Sequence, residues 1–191
     1  MSKLRVLVLV RDGHVPPNTL EGVSEAEMGP WKAEFDVCES LRRLGHEVLP
    51  LGVYDDLAPI REALRDFQPT ITFMMLEEFH GVGTYDFAVI SYLELMQQPY
   101  TGCNPRGLLL TKDKALSKKV LTYHRIPTPR FTVFPKGRTV HRPKKLSFPL
   151  FVKSTVEDAS YGIAQASIVH TDEALTERVQ FIHEKTGDDA I

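Results

Sequence analysis

The sequence predicts an α/β fold with a parallel sheet, and three observations carry this prediction. Leu4 to Val10 is a continuous apolar run, typical of a strand that is buried on both faces. Strand-like and helix-like patterns then alternate along the first half of the chain. The composition is that of an ordinary globular protein, with 42% apolar and 25% charged residues among 191. We therefore expect helices on both faces of the sheet and ligands at the carboxyl ends of its strands.

Each element of the first half follows from a local pattern. Helices are predicted where apolar residues recur every three to four positions, and they end at Gly45, before Pro69 and before Pro99. In chain order the predicted elements are strand 4–10, helix 31–44, strand 47–51, helix 55–67, strand 70–74, helix 87–96 and an extended piece at Tyr100. The polar stretch from Arg11 to Pro30 is longer than a usual connection, which favours a functional loop. The loops after Val10 and Met74 are therefore candidate walls of a site.

The composition changes after Tyr100, and the second half reads as an α+β segment with antiparallel strands. Its predicted elements are a lysine-rich helix 111–124, strands 130–134, 148–153 and 162–169, and a final helix 171–182. Ala190 and Ile191 look like the start of another strand, so we expect the sequence to be a fragment of a longer protein.

Charge, cysteine content and the N-terminus exclude several classes of protein. A net charge of -2 and a pI near 6.4 argue against a nucleic-acid binder that relies on bulk charge. The 2 cysteines form no CxxC motif and the 7 histidines have no zinc-binding spacing, so neither a disulfide nor a zinc site is expected. The N-terminal apolar run is too short for a signal peptide or a membrane span. A cytoplasmic protein without nucleic-acid or membrane partners is expected.

Two lysines are candidates for binding an anion. Lys153 ends an apolar strand and precedes a loop of small residues, where an ammonium and loop N–H groups together can hold a phosphate. Lys114 lies early in a predicted helix, a position that suits an anion ligand better than it suits helix stability. An alternative remains open for each lysine. Lys153 could simply extend from the strand end into solvent, and Lys114 could belong to a solvated face with its lysine neighbours.

Taken together, several segments resemble the D-alanine–D-alanine ligase branch of the ATP-grasp ligases. The matching segments, in order, are Pro99 to Gly107, Lys112 to Lys119, Ile126 to Pro129, and Phe148 to Lys153 followed by Glu157 to Ile163. The resemblance implies a Rossmann-like pre-ATP-grasp domain over residues 1–104 and an incomplete ATP-grasp N-terminal subdomain over residues 105–191.

The resemblance also implies an ATP site. In such ligases the lysines at the positions of Lys114 and Lys153 contact nucleotide phosphates. A mobile loop over the phosphates maps to Glu157 through Gly162, with Ser160 at a family serine position. Asp158 and Ala159 replace the Gly and Ser of the ligases, which adds an acid near the triphosphate and leaves strict D-alanine specificity unsupported.

The implied reaction phosphorylates a carboxylate and then lets an amine attack the acyl phosphate. The family's magnesium ligands and catalytic arginine follow the point where this sequence ends, so no catalytic residue is named and this chain alone is expected to be inactive. Glu21, Glu25 and Glu27 are candidates for binding the substrate amino group, although their loop does not match the family motif. His80 is a candidate substrate residue, with an ordinary surface histidine as the alternative.

Two other functions remain open. The chain could be a stand-alone, non-catalytic binding module on the same scaffold, or it could come from an ATP-grasp ligase for another amino acid or peptide. The family's usual dimerisation through the first domain implies a homodimer.

Overall fold

We describe a computed structural model of the chain, which covers residues 2–157 and 162–191. The chain forms two compact units, one ending at Leu108 and the other beginning at Leu109. This boundary lies inside a helix that begins just after the predicted domain boundary at residue 104. The two units are described separately.

The first unit is built on a parallel sheet of three strands in the order β2-β1-β3. The strands are β1 (Arg5–Arg11), β2 (Glu47–Val53) and β3 (Ile71–Met74). The predicted extended piece at Tyr100 joins the same sheet through a parallel bridge to Thr72. The predicted α/β fold with a parallel sheet is confirmed.

The side chains of a strand alternate between the two faces of its sheet. Both faces are covered at the central strand β1, so all of its inner positions are apolar. Leu7 and Leu9 pack in one core cluster with Ile60 of the helix before β3. Val8 and Val10 pack on the opposite face with Cys38. The helices of this unit are α1 (Glu25–Met28), α2 (Lys32–Arg43), α3 (Ala58–Asp66) and α4 (Asp86–Leu95).

The loop after β1 packs closely over β2 at Gly52. A Cβ atom at Gly52 would lie 2.8 Å from Val15 Cγ2 and 3.2 Å from Asp12 Oδ1. Gly52→Ala must therefore displace this loop, and we expect it to lower the free energy of unfolding by about 1 kcal/mol. Gly29→Ala is the control, because a Cβ there meets nothing within 4 Å. Equal stability of both variants in urea unfolding would contradict the close packing.

The second unit combines helices with short antiparallel strands. Helix α5 (Pro105–Lys112) crosses the boundary between the units, and α6 (Lys114–Tyr123) and α7 (Asp172–Thr186) follow. The strands β4 (Leu150–Phe151) and β5 (Ile168–Val169) pair antiparallel. The core of this unit contains Val152, Val169, Leu175, Val179 and Ile182.

The strands of the second unit are shorter than predicted. In the segment 130–134 only Phe134 pairs, through an antiparallel bridge to Ala190. Pro129 and Pro135 flank this segment, and proline lacks the N–H that a ladder requires. Residues 165–167 form a 3₁₀ turn, so the predicted strand 162–169 is reduced to β5. Ala190 also forms an antiparallel bridge with Ser154. The predicted extended segment at Ala190 and Ile191 therefore pairs with both Phe134 and Ser154.

Within the described ranges, no helix combines the length and the apolar character needed to cross a lipid bilayer.

Candidate functional site

Lys114 connects α6 to the segment that follows β4. It is the first residue of α6, after Asp113, whose side chain caps the helix by accepting from Leu116 N at 2.9 Å. The main-chain N of Lys114 donates to Thr155 O at 2.9 Å, and its Nζ donates to Glu157 O at 2.7 Å. The structure therefore brings two of the predicted site residues, Lys114 and Glu157, into direct contact.

Ser154 organises the start of the predicted phosphate loop. Its side chain is 2% exposed, and its Oγ accepts from the main-chain N atoms of Val156 and Glu157, both at 3.1 Å. The same hydroxyl donates to Asp188 Oδ2 at 3.2 Å. The hydroxyl thus fixes the direction in which the chain enters the loop.

We expect Ser154→Ala to lower the free energy of unfolding by about 1–3 kcal/mol, because two partly buried N–H groups lose their acceptor. Urea unfolding followed by circular dichroism measures the change. Ser147→Ala, at an exposed position, is the matched control. A Ser154→Ala variant within about 0.5 kcal/mol of this control would exclude the organising role.

A cavity of about 360 Å³ in the second unit has two lysines in its wall, Lys118 and Lys153. Burial, and then the charge of Lys153, lower the pKa of Lys118. Lys118 Nζ donates to Thr128 Oγ1 at 2.8 Å and to Pro129 O at 2.9 Å. The rest of the wall is largely apolar and includes Phe131.

Lys153 is placed there by the main chain. Its N donates to Ile191 O at 3.1 Å, and its O accepts from Ile191 N at 2.8 Å. A cavity with apolar walls and two ammonium groups fits a ligand that has a flat apolar part and an anionic part. The donor set thus fits a nucleotide.

Gly162, at the end of the predicted phosphate loop, contacts Arg178 of α7. Gly162 has a positive φ of 72°, which favours glycine, and its O accepts a hydrogen bond from Arg178 Nη2. Arg178 also donates to Ser167 Oγ at 2.8 Å. Ser160, together with Asp158 and Ala159, lies outside the described residues.

His80 lies in the first unit and is exposed. Its N donates to Tyr54 O at 2.6 Å, and its ring stacks on Tyr54 with centroids 5.8 Å apart. Its Nδ1 lies 3.9 Å from Asp55 Oδ2. A role in substrate binding stays a prediction.

Sequence reasoning missed several residues that line cavities or fix the loop. The sequence pattern shows Lys118 only as one of several lysines on a helix face. Its place in the cavity wall depends on the segment after α6, where Pro129 O accepts a hydrogen bond from Lys118 Nζ. Arg178 gave no local signal, because its partners are distant in sequence. Across residues 2–157 and 162–191, no cluster of three or more His, Cys, Asp or Glu side chains is arranged to hold a metal ion.

The chain is similar in sequence to known proteins. A D-alanine–D-alanine ligase from Syntrophotalea carbinolica is 34% identical over 139 residues, 73% of this chain and 42% of that protein. The uncharacterized protein y4sG of Sinorhizobium fredii is 31% identical over 169 residues, 85% of this chain and 49% of that protein. No family model matches the chain.

Solved structures share the fold. The D-alanine–D-alanine ligase from Bacillus anthracis matches with a TM-score of 0.72 at 24% identity, over 98% of this chain and 56% of that one. Its complex with ATP matches with a TM-score of 0.70 at 23% identity.

The fold and these relatives define the class as an α/β protein with an incomplete ATP-grasp fold. More specifically, the chain corresponds to the N-terminal portion of proteins of the D-alanine–D-alanine ligase-like ATP-grasp family, as the sequence motifs predicted. It spans about half the length of the curated relatives that it matches.

Proposed function

We propose that this chain is the N-terminal part of an ATP-dependent carboxylate–amine ligase and that its second unit contributes to the ATP site. The observation that carries the proposal is the cavity of about 360 Å³ that has Lys118 and Lys153 in its wall. Its apolar walls suit a nucleotide base, and its ammonium groups suit phosphate oxygens. The general ligase class agrees with the names of the curated relatives.

Each residue has a distinct part in this proposal. Lys153 binds a phosphate oxygen at the cavity, and Lys114 binds another from the first turn of α6. The contact of Lys114 Nζ with Glu157 O keeps this ammonium beside the entry to the loop. ATP supplies the phosphoryl group that activates a carboxylate as an acyl phosphate, and an amine then displaces phosphate to form the amide.

The proposal extends to the rest of the protein. Magnesium ligands are expected outside these 191 residues, so the chain alone should not complete the reaction. The first unit is proposed as the pre-ATP-grasp domain and as the surface of a homodimer. We place the protein in the cytoplasm, where ATP is available and where free thiols such as Cys38 and Cys103 stay reduced.

A ligase for a substrate other than D-alanine is the second candidate. The loop sequence Asp158-Ala159 departs from the Gly and Ser of the D-alanine ligases. An acidic residue in the segment that the resemblance assigns to the phosphate loop changes the charge of that loop, which supports a different amino acid or peptide as substrate.

The complete gene product, supplied with ATP, magnesium and a panel of amino acids and peptides, tests the proposal. We expect phosphate release only when a carboxylate substrate and an amine substrate are both present. If none of the amino acids or peptides supports ADP formation, the ligase assignment is overturned.

A further inference from the structure

The two lysines in the wall of the cavity of about 360 Å³ have different surroundings. Lys118 Nζ donates to Thr128 Oγ1 at 2.8 Å and to Pro129 O at 2.9 Å, which uses two of its three N–H donors within the protein. Lys153 Nζ has no hydrogen-bond or ion-pair partner in the described part of the chain. Of the two lysines, Lys153 is therefore the one that keeps all its donors for a ligand.

The acceptors of Lys118 lie in or beside a segment that forms part of the cavity wall. Residues 129–132 all line the cavity, and we call them the wall segment. Among the described residues, the main chain of residues 128–133 forms no hydrogen bond with another main-chain group. Main-chain pairing resumes only at Phe134, whose N donates to Ala190 O at 2.8 Å. The wall segment therefore depends on side chains for its polar attachment to the rest of the unit.

The Lys118 ammonium provides most of this attachment. Besides its two hydrogen bonds, it lies 5.3 Å from the centre of the Phe131 ring, a distance at which a cation attracts an aromatic ring. The other polar contact of the wall segment is a hydrogen bond of 3.3 Å from Arg130 Nη1 to Lys145 O, which is longer than the usual range. Loss of the Lys118 ammonium would leave the wall segment with this weaker contact among the residues described.

We propose that Lys118 is a positioning residue for the nucleotide base, whereas Lys153 binds the phosphates. Lys118 fixes the wall segment, so that Pro129 and Phe131 form an apolar surface before the ligand arrives. A preformed surface favours binding because the protein does not have to order it at that moment. The inference rests on the proposed ATP site and deepens it by giving its two lysines separate roles.

ATP and inorganic triphosphate, each with magnesium, separate these two roles in the complete gene product. Triphosphate has the phosphate groups of ATP without the base, so its affinity does not depend on the wall segment. We expect Lys118→Met to weaken ATP binding about tenfold and triphosphate binding less than about threefold, because it removes no phosphate contact. Lys153→Met should weaken the binding of both ligands about tenfold or more. Competition with a fluorescent ATP analogue measures the affinities.

Thr128→Val tests the positioning role without a change of charge. Thr128 does not line the cavity, and valine keeps its shape while removing the acceptor of Lys118 Nζ. We expect ATP binding to weaken about threefold and triphosphate binding to stay unchanged, since one of two hydrogen bonds is lost. In the Lys118→Met background, Thr128→Val should have no further effect, because the two residues act through one contact.

The matched control is Thr139→Val, at an exposed position outside the cavity wall, and it should change neither affinity. Retained triphosphate binding shows that a variant is folded. If Lys118→Met does not fold, the comparison of Thr128→Val with Thr139→Val still tests the inference.

Equal losses of ATP and triphosphate affinity in Lys118→Met would make Lys118 a phosphate ligand and overturn the inference. Unchanged ATP affinity in Lys118→Met, or in Thr128→Val relative to its control, would also overturn it. Any of these results with a parent protein that binds ATP leaves the proposed function standing. A parent protein that binds neither ATP nor triphosphate would contradict the proposed function and this inference with it.

Discussion

Replacing Lys153 with Met should weaken ATP binding by the complete gene product about 10- to 100-fold, the usual cost of losing a charged hydrogen bond to phosphate. Methionine keeps most of the side-chain volume and removes only the ammonium group. Because the main chain of Lys153 is held by two hydrogen bonds to Ile191, the substitution should leave the fold unchanged. Competition with a fluorescent ATP analogue measures the affinity.

The matched control for this experiment is Lys119→Met, at an exposed position of α6 in the same lysine-rich segment. It removes the same charge without lining the cavity. Its ATP affinity should stay within about twofold of the parent, because an exposed charge is screened by solvent and salt. An equal loss in both variants would indicate general electrostatic attraction, and no loss in Lys153→Met would remove Lys153 from the site.

Replacing Leu9 with Ala should destabilise the protein by about 2–5 kcal/mol, a large share of the usual total of about 5–15 kcal/mol. Leu9 is 0% exposed in the central strand of the parallel sheet, where the lost side chain leaves a cavity. Urea unfolding followed by circular dichroism measures the change.

Leu95→Ala is the control for the core substitution, because the same residue type there is 81% exposed at the end of α4. It should change the free energy of unfolding by less than about 0.5 kcal/mol. Similar losses for the two variants would contradict the placement of β1 at the centre of the core.

The first unit was largely predictable because its signals are local. An apolar run identified β1, and amphipathic spacing with terminal Gly or Pro identified α2 and α3. Helix α5 was missed although Asn104 and Pro105 form a recognisable start, with Asn104 Oδ1 accepting from Gly107 N at 2.8 Å. The local signal for this helix start is present in the sequence, but the same residues also belong to the segment Pro99 to Gly107 that resembles the family.

The second unit was less predictable because its strands are short and depend on distant partners. Phe134 forms a β-bridge with Ala190, which lies far along the chain, so no local sequence pattern predicts this contact. The same limit applies to the sites. Motif spacing indicated Lys114 and Lys153, whereas Lys118 and Thr128 meet only because the segment after α6 returns to this helix.

Hydrogen exchange of the complete gene product, with and without saturating ATP, tests the central claim most directly, with binding verified by calorimetry. The account predicts slower exchange with ATP in the segments 114–118 and 150–157 of the second unit. Saturable ATP binding with no protection in either segment would contradict the claim that this unit contributes to the ATP site.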